Sequence, residues 1–486
     1  MTHDAALPDT PTPRPTRRRA LQTLGAGGAV IALGGLGAGA HRLLGAHLPG
    51  NATISLYSST VAVDGNGRRS LLAPPSDPGE TSGSTSGTGT ASGSASAGSA
   101  ASSPRLEPGT RLLAGTPADS PAARRADEFL AGAATWLADV PDAFADLARS
   151  AVWDLWTLSD GLPAPVAGWS TSWRYIWPRD TAFCAVALAR IGHADTALDH
   201  LAHLQGVQSA DGWFEARYSP TTGEAPDERP RQFDGTGLAL WAAAEVIGTQ
   251  SGSARTKARR RLDPLLTTSR DALLRATDHG TQLPPVSPDY WEVSERAVTL
   301  GIMASTLAGL EAAGRLDAAG SGVAAGAEES GTGTDDEERA DGAEAFRRVL
   351  VTSFGPHGFQ RRARSGGADS ALAFLDATGS HGIVGADQLR ALRRTLARPA
   401  GGIAPGARWR RDGVSWTPST SLLALGLARA GDADGARDLL GWLDRHRTAD
   451  GSLPEKVLAD GSPAAVAPLA WTAANVLLTL DALRRG

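Results

Sequence analysis

From residue 121 to the end, the chain repeats one pattern: a helix-length stretch with apolar residues three and four apart, then a connection. This periodicity covers 124–138, 142–158, 180–191, 195–208, 235–249, 258–278, 295–316, 339–353, 368–376, 385–397, 418–430, 434–446 and 468–484. Starts carry caps or prolines, as at Pro141, Asp195 and Asp434, and ends carry Gly192 and Gly431. Short polar turns such as 192–195 alternate with long loops rich in aromatic and charged residues. Convincing strands are absent from this stretch. Paired helices with the long loops gathered at one end predict an all-α fold. We read it as an (α/α)6 toroid of about twelve helices in an inner and an outer ring.

The chain of 486 residues divides unevenly. Arg17-Arg18-Arg19 precedes a Gly/Ala/Leu run to Ala40, so residues 1–40 read as a twin-arginine export signal or a membrane anchor. Ala38-Gly39-Ala40 offers a cleavage site. The protein is therefore expected outside the cell or at its surface, attached to the membrane if the signal stays on. Residues 41–73 form a short N-terminal segment, with strand-like alternation over 51–63. Residues 74–104 are a Ser/Gly/Thr-rich linker. The helical body occupies 105–486, with a small, acidic insertion at 317–338 expected to be disordered. A net charge of −5 and a pI near 6.1 argue against a general nucleic-acid binder. Cys184, the one cysteine, lies in an apolar helical run and is expected to be buried and inert. The ten histidines show no metal-ligand spacing, and no nucleotide or redox motif is present, so neither metal nor cofactor is expected.

Chemistry concentrates in the long loops. Trp169 to Asp180 reads WSTSWRYIWPRD, with Tyr175, Trp177, Arg179 and Asp180 at the mouth of a helix. Rings packed beside a charged pair suit a sugar: apolar faces stack on C–H patches while Arg179 and Asp180 hydrogen-bond hydroxyls. The bland alternative is a helix cap in an aromatic core. Asp234, in Gln232-Phe233-Asp234-Gly235, is better read as an N-cap than as a ligand when taken alone, but with the neighbouring loops it is a candidate substrate-binding residue. Glu292 follows Tyr290-Trp291, where desolvation by the rings suits a general acid. Glu295 fits a helix-start glutamate better. Glu455, in the loop Asp450 to Val457, is either a surface charge or a second acid facing the first. Arg408, Trp409 and Trp416 form another arginine–aromatic loop. Two acids on opposite sides of a sugar are the minimal equipment for glycoside hydrolysis, but spacing in sequence does not choose between inversion and retention.

These stretches are collinear with a known pattern. WRYIWPRDTAF, QFDGTGLAL, DYWE, SGGADSALAFL, ARWRRDGVSW, DGSLPEKV and PLAWTAANVLL together resemble glycoside hydrolase family 15, the glucoamylase family, from about 121 to 484. The resemblance implies that Glu292 is the general acid and Glu455 the base that activates water, with inversion. It implies that Arg179, Asp180 and Arg408 hold the terminal sugar and that Trp177, Trp291 and Trp416 line its pocket. There are departures. Val293 stands where many members carry a second acid, which bears on the next subsite. A linker and a short segment stand where bacterial members often carry a β-sandwich. The expected function is an exo-acting, inverting α-glucosidase on malto- or isomalto-oligosaccharides, a monomer whose partner is a short oligosaccharide or disaccharide. A trehalose hydrolase is the nearer alternative. Epimerisation would lean on histidines that these loops lack. A non-catalytic sugar-binding surface protein would bind glucosides without turning them over.

Overall fold

The computed structural model describes residues 53–74, 104–321 and 333–485. The export-signal reading of 1–40, the linker over 75–103 and the centre of the acidic insertion lie outside these residues. Thirteen α-helices occur among the described residues: α1 (Pro121–Ala138), α2 (Ala145–Ser159), α3 (Pro178–Arg190), α4 (Ala194–Val207), α5 (Asp234–Gly248), α6 (Gly252–Ala276), α7 (Leu300–Ser321), α8 (Gly333–Phe354), α9 (Leu372–Ala377), α10 (Ala386–Leu396), α11 (Thr417–Arg429), α12 (Ala433–Arg445) and α13 (Ala470–Arg485). The flanks of the 317–338 insertion are thus helical, closing α7 and opening α8. Among the described residues, no helix is long and apolar enough to cross a membrane.

Helices α3, α5, α7, α9, α11 and α13 each touch the next, and α13 returns to α3, closing an inner ring. These helices are buried nearly all round, as along Pro178–Ala189 of α3 and Thr417–Leu427 of α11. That burial follows from their composition of Ala, Leu, Val and small polar residues. Helices α2, α4, α6, α8, α10 and α12 form the outer ring. Several bury only a stripe, as α12 does with Ala436, Leu439, Leu440, Trp442 and Leu443, whereas α2 is buried almost continuously from Leu147 to Ser159. The fold is the all-α toroid that the periodicity predicts, with α1 as an extra helix packed on α2.

Several inner helices pass to outer ones through short turns, as at Gly192 and Gly431, both with positive φ. Outer helices return through the long loops 160–177, 208–233, 277–299, 355–371, 397–416 and 446–469. All inner-helix N-termini therefore open into the same set of loops, and their dipoles present positive ends there.

Further features depart from the sequence reading. Short strands do occur in the body: β3 (Ser415–Trp416), β4 (Lys456–Val457) and β5 (Pro463–Ala464) make a three-stranded antiparallel sheet. The N-cap of α5 is Phe233 and not Asp234, which is the first helical residue. Glu295 does not start a helix, because α7 begins at Leu300; its side chain is buried against Arg361 and Arg362. In the N-terminal segment the strand is shorter than 51–63. There β1 (Thr60–Val63) pairs with β2 (Arg69–Leu72) as an antiparallel hairpin. Val63 and Leu112 join Ala122, Ala126, Trp153 and Trp156 in a small core beside the toroid.

Candidate active site

Pro178 explains the local geometry at the first loop. It fits the first turn of α3, and it forces Trp177 before it into extended backbone, φ −98° and ψ 128°. Arg179 and Asp180 then lie in the first turn, buried. The Arg179 guanidinium donates to Asp234 Oδ2 at 2.7 Å and to Gln232 Oε1 at 3.2 Å. It lies 3.7 Å from Asp180 and 3.6 Å from Glu292, with its face 5.5 Å from the Trp471 ring. Burial alone would lower its pKa, but Asp234, Asp180 and Glu292 together hold it above its ordinary value. Burial pushes Asp180 up to about 7; Arg179 opposes this, while Glu292 and Asp234 add to it. Asp234 is also raised, by burial first and against the pull of Arg179. So Asp234 belongs to this buried triad, and its role as a cap is not what the structure shows.

Glu292 adopts a left-handed conformation, φ 53°, an uncommon state for a residue bearing a side chain. Its Oε1 accepts from Trp177 Nε1 at 2.5 Å and its Oε2 from Arg229 at 2.6 Å. Beneath the loop, Arg361 donates to Asp289 at 2.8 Å, to Asp369 at 2.9 Å and to Glu295 at 2.8 Å. The same guanidinium lies 3.7 Å from the Trp291 ring centre. Asp289 in turn accepts from the Trp291 N–H at 3.0 Å. Tyr290 donates to Asp369 at 2.5 Å. The turn bearing Glu292 thus stands on a buried ionic base.

Glu455 is held by its backbone: its N–H donates to Val466 O at 2.8 Å and its carbonyl accepts from Thr417 N at 3.0 Å. Its carboxylate is 10% exposed, and the Lys456 ammonium lies 3.3 Å from Oε2, outside hydrogen-bond geometry. Antiparallel pairing sets Trp416 opposite Lys456, whose Nζ stands 4.4 Å from the Trp416 ring centre.

These contacts close on themselves. Trp291 meets Trp409 at 4.8 Å, and Trp409 meets Trp416 at 5.4 Å, both edge to face. Trp416 leads through Lys456 to Glu455, and Glu455 bonds Val466, which shares a small apolar cluster with Trp177, Ala167 and Leu469. Trp177 returns to Glu292. Two acids 163 positions apart in sequence therefore border one circuit of tryptophans. Tyr175 stands 6.2 Å from Trp177 and carries Arg217 at 4.2 Å over its face. Arg408 is exposed and makes no ion pair or ring contact among the described residues; the structure does not draw it into the circuit. Sequence reasoning missed the chain Arg229–Asp227–Arg217, joined at 3.2 and 2.5 Å, which leads from Glu292 to Tyr175. Its only signal was a cluster of opposite charges, Asp227 to Arg231, just ahead of Gln232. Cys184 is buried, its thiol pushed well above the ordinary value by burial.

No protein-family model matches this sequence, and no curated protein does. Solved structures share the fold. A glycosidase solved as a glutamate-to-alanine variant in complex with glucose superimposes with a TM-score of 0.56. It is 21% identical over 72% of this chain and 98% of its own. A bacterial glucoamylase complexed with acarbose gives 0.55 at 16% identity, over 76% of this chain and 62% of its own. The glycoside hydrolase family 15 glucoamylase from Hypocrea jecorina gives 0.54 at 15% identity, over 74% and 72%.

Proposed function

We propose that this protein is an exo-acting, inverting α-glucosidase that releases glucose from the non-reducing end of short α-glucosides. The observation that carries the reading is the closed circuit of Trp291, Trp409, Trp416 and Trp177, with Glu292 and Glu455 on its border. The fold shared with glucoamylases and the collinear motifs point the same way. In this reading the buried Arg179, Asp180 and Asp234 receive the hydroxyls of the terminal hexose at the positive ends of α3 and α5. Glu292 Oε2 delivers a proton to the glycosidic oxygen as the bond to C1 breaks. Oε1 keeps the Trp177 indole N–H, which fixes the carboxyl plane. Arg229 must release Oε2 before that oxygen can carry a proton, so the leaving sugar displaces it. Glu455 takes a proton from the water that attacks C1 on the opposite face, and Lys456 on Trp416 steadies its charge. The surrounding indoles exclude bulk water, which strengthens each of these interactions.

The test is hydrolysis of maltose, isomaltose and trehalose, with NMR of the anomer formed first. β-Glucose as the first product supports the proposal, and α-glucose refutes inversion. Glu292→Gln and Glu455→Gln are each expected to lose at least about a thousandfold in kcat while remaining folded by circular dichroism. Near-normal turnover in either removes that residue from its role.

A further inference from the structure

The chain's aromatic residues comprise thirteen tryptophans, four tyrosines and nine phenylalanines, and all lie within the described residues. Only one, Tyr57, is exposed, at 46%. It comes from outside the toroid, on the N-terminal segment, yet this segment is bound tightly to the loop that carries Glu455. Tyr57 N–H donates to Ala465 O at 2.8 Å, and Ala465 N–H to Ser55 O at 3.0 Å. Ser58 donates to Ala467 O at 2.8 Å, Thr60 and Ser452 share a hydrogen bond at 2.7 Å, and Thr448 donates to Ser59 O at 2.5 Å. The hairpin also grips the Trp169–Asp180 loop: the Arg69 guanidinium lies 4.8 Å from the Trp169 ring centre and donates to Thr157 O. A peripheral segment is thus fastened to two site loops at once, and this holds one aromatic ring in solvent.

The position of that ring gives it a use. It lies 5.7 Å from Trp173, tilted by 55°, and Trp173 packs on the Trp177 cluster. Two residues fix its distance from the chemistry: Ala465, bonded to the Tyr57 backbone, directly precedes Val466, bonded to Glu455. The phenol feels the Glu455 charge, which adds to burial in raising its pKa. The groups that would hold the terminal hexose, Arg179, Asp180 and Asp234, are buried at the helix N-termini. An exo-acting site takes the non-reducing end inward, so whatever remains of the substrate points out past the exposed rim.

We propose that Tyr57, backed by Trp173, is a stacking platform for the leaving sugar, carried to the site by the N-terminal segment. The proposal rests on the hydrolase reading above. A pyranose presents an apolar C–H face, and an exposed, rigidly mounted phenol accepts it with little ordering cost. No toroid helix supplies this contact, so the segment 53–74 becomes part of the substrate-binding surface.

Two donors separate the possibilities: α-glucosyl fluoride, whose leaving group is a single atom, and whichever α-linked glucose disaccharide the wild type turns over faster. Tyr57→Ala in the full chain is expected to lower kcat/KM on the disaccharide about three- to tenfold, mainly through KM. On α-glucosyl fluoride it should stay within about twofold. Tyr57→Phe should keep most of the disaccharide activity, because the ring carries the contact. Equal losses on both donors would overturn the proposal, placing Tyr57 in support of Glu455 instead. No loss on either would overturn it too, leaving an idle surface ring. A wild type that turns over neither donor would refute the hydrolase reading itself, and the platform with it.

Discussion

Arg361 supports the candidate site without touching any substrate. Its side chain is 1% exposed and neutralises Asp289, Asp369 and part of Glu295, all almost fully buried. Removing one partner of such a network leaves uncompensated charge in a low-dielectric interior, which costs more than the pairing contributed. Arg361→Met is expected to lower the unfolding free energy by about 3–5 kcal/mol, read from denaturant titration. It should also lower kcat, since Trp291 loses the cation under its ring and the strained Glu292 turn loses its base. Stability within about 1 kcal/mol of wild type would show that the carboxyls protonate and tolerate the loss. The split between what sequence showed and hid at this scale has a physical cause. Trp177, Asp180, Asp234 and Glu292 were legible as candidates because each stands in a run of aromatic or charged neighbours. Arg361 and Arg229 were not, because each acts on a partner more than sixty positions away, and arginine is common on any surface.

Between the inner helices, a tight constraint is the approach of α5 to α7. A Cβ added to Gly237 would stand 2.0 Å from the Ser305 carbonyl oxygen, and one on Gly309 would stand 2.8 Å from Gly237 Cα. These glycines let two inner helices meet backbone to backbone. Gly237→Ala gains helix propensity but forces the helices apart, so a loss of at least about 1–3 kcal/mol is expected. Gly314, on the same α7, has nothing within 4 Å of its would-be Cβ. Gly314→Ala should therefore stabilise by up to about 1 kcal/mol. Melting temperatures moving in the same direction for both would show that the close approach is not limiting. Most helices were legible to within a few residues, because periodicity is strong over ten or more positions, but the starts of α6, α7 and α8 lie five or six residues from the expected ones. Three two-residue strands were not, since two residues carry no period, and their pairing depends on loops brought together only by the closed ring. The cap reading of Asp234 taken alone fails for a related reason. An aspartate before a helix satisfies the capping pattern locally, and only the buried Arg179 from another helix decides its role.

The whole molecule carries two opposed sets of buried titrating groups. Burial is the first cause raising Asp154, Asp180, Asp234, Asp369 and Asp376, while it lowers His193, His200 and His203, His200 to about 4. A carboxyl raised in the folded state binds protons that the unfolded chain has released. Its contribution to stability is complete below the unfolded value and disappears as pH rises through the folded one. A lowered histidine does the reverse, contributing above its unfolded value and losing that contribution as pH falls. Between pH 4 and 6.5 the two sets oppose each other, so the overall profile is flatter than either set alone would give. Asp180, held up at about 7, still titrates above that range. Comparing wild type with Asp180→Asn cancels the histidines and isolates this one group. From pH 6.5 to 8 the wild type should lose about 0.8 kcal/mol of unfolding free energy relative to the variant, by denaturant titration at constant ionic strength. A difference that stays level, or turns the other way, would place the proton elsewhere among Asp180, Asp234 and Glu292. The floor of the proposed sugar site would then be a shared charge system and not one raised aspartate beside an arginine.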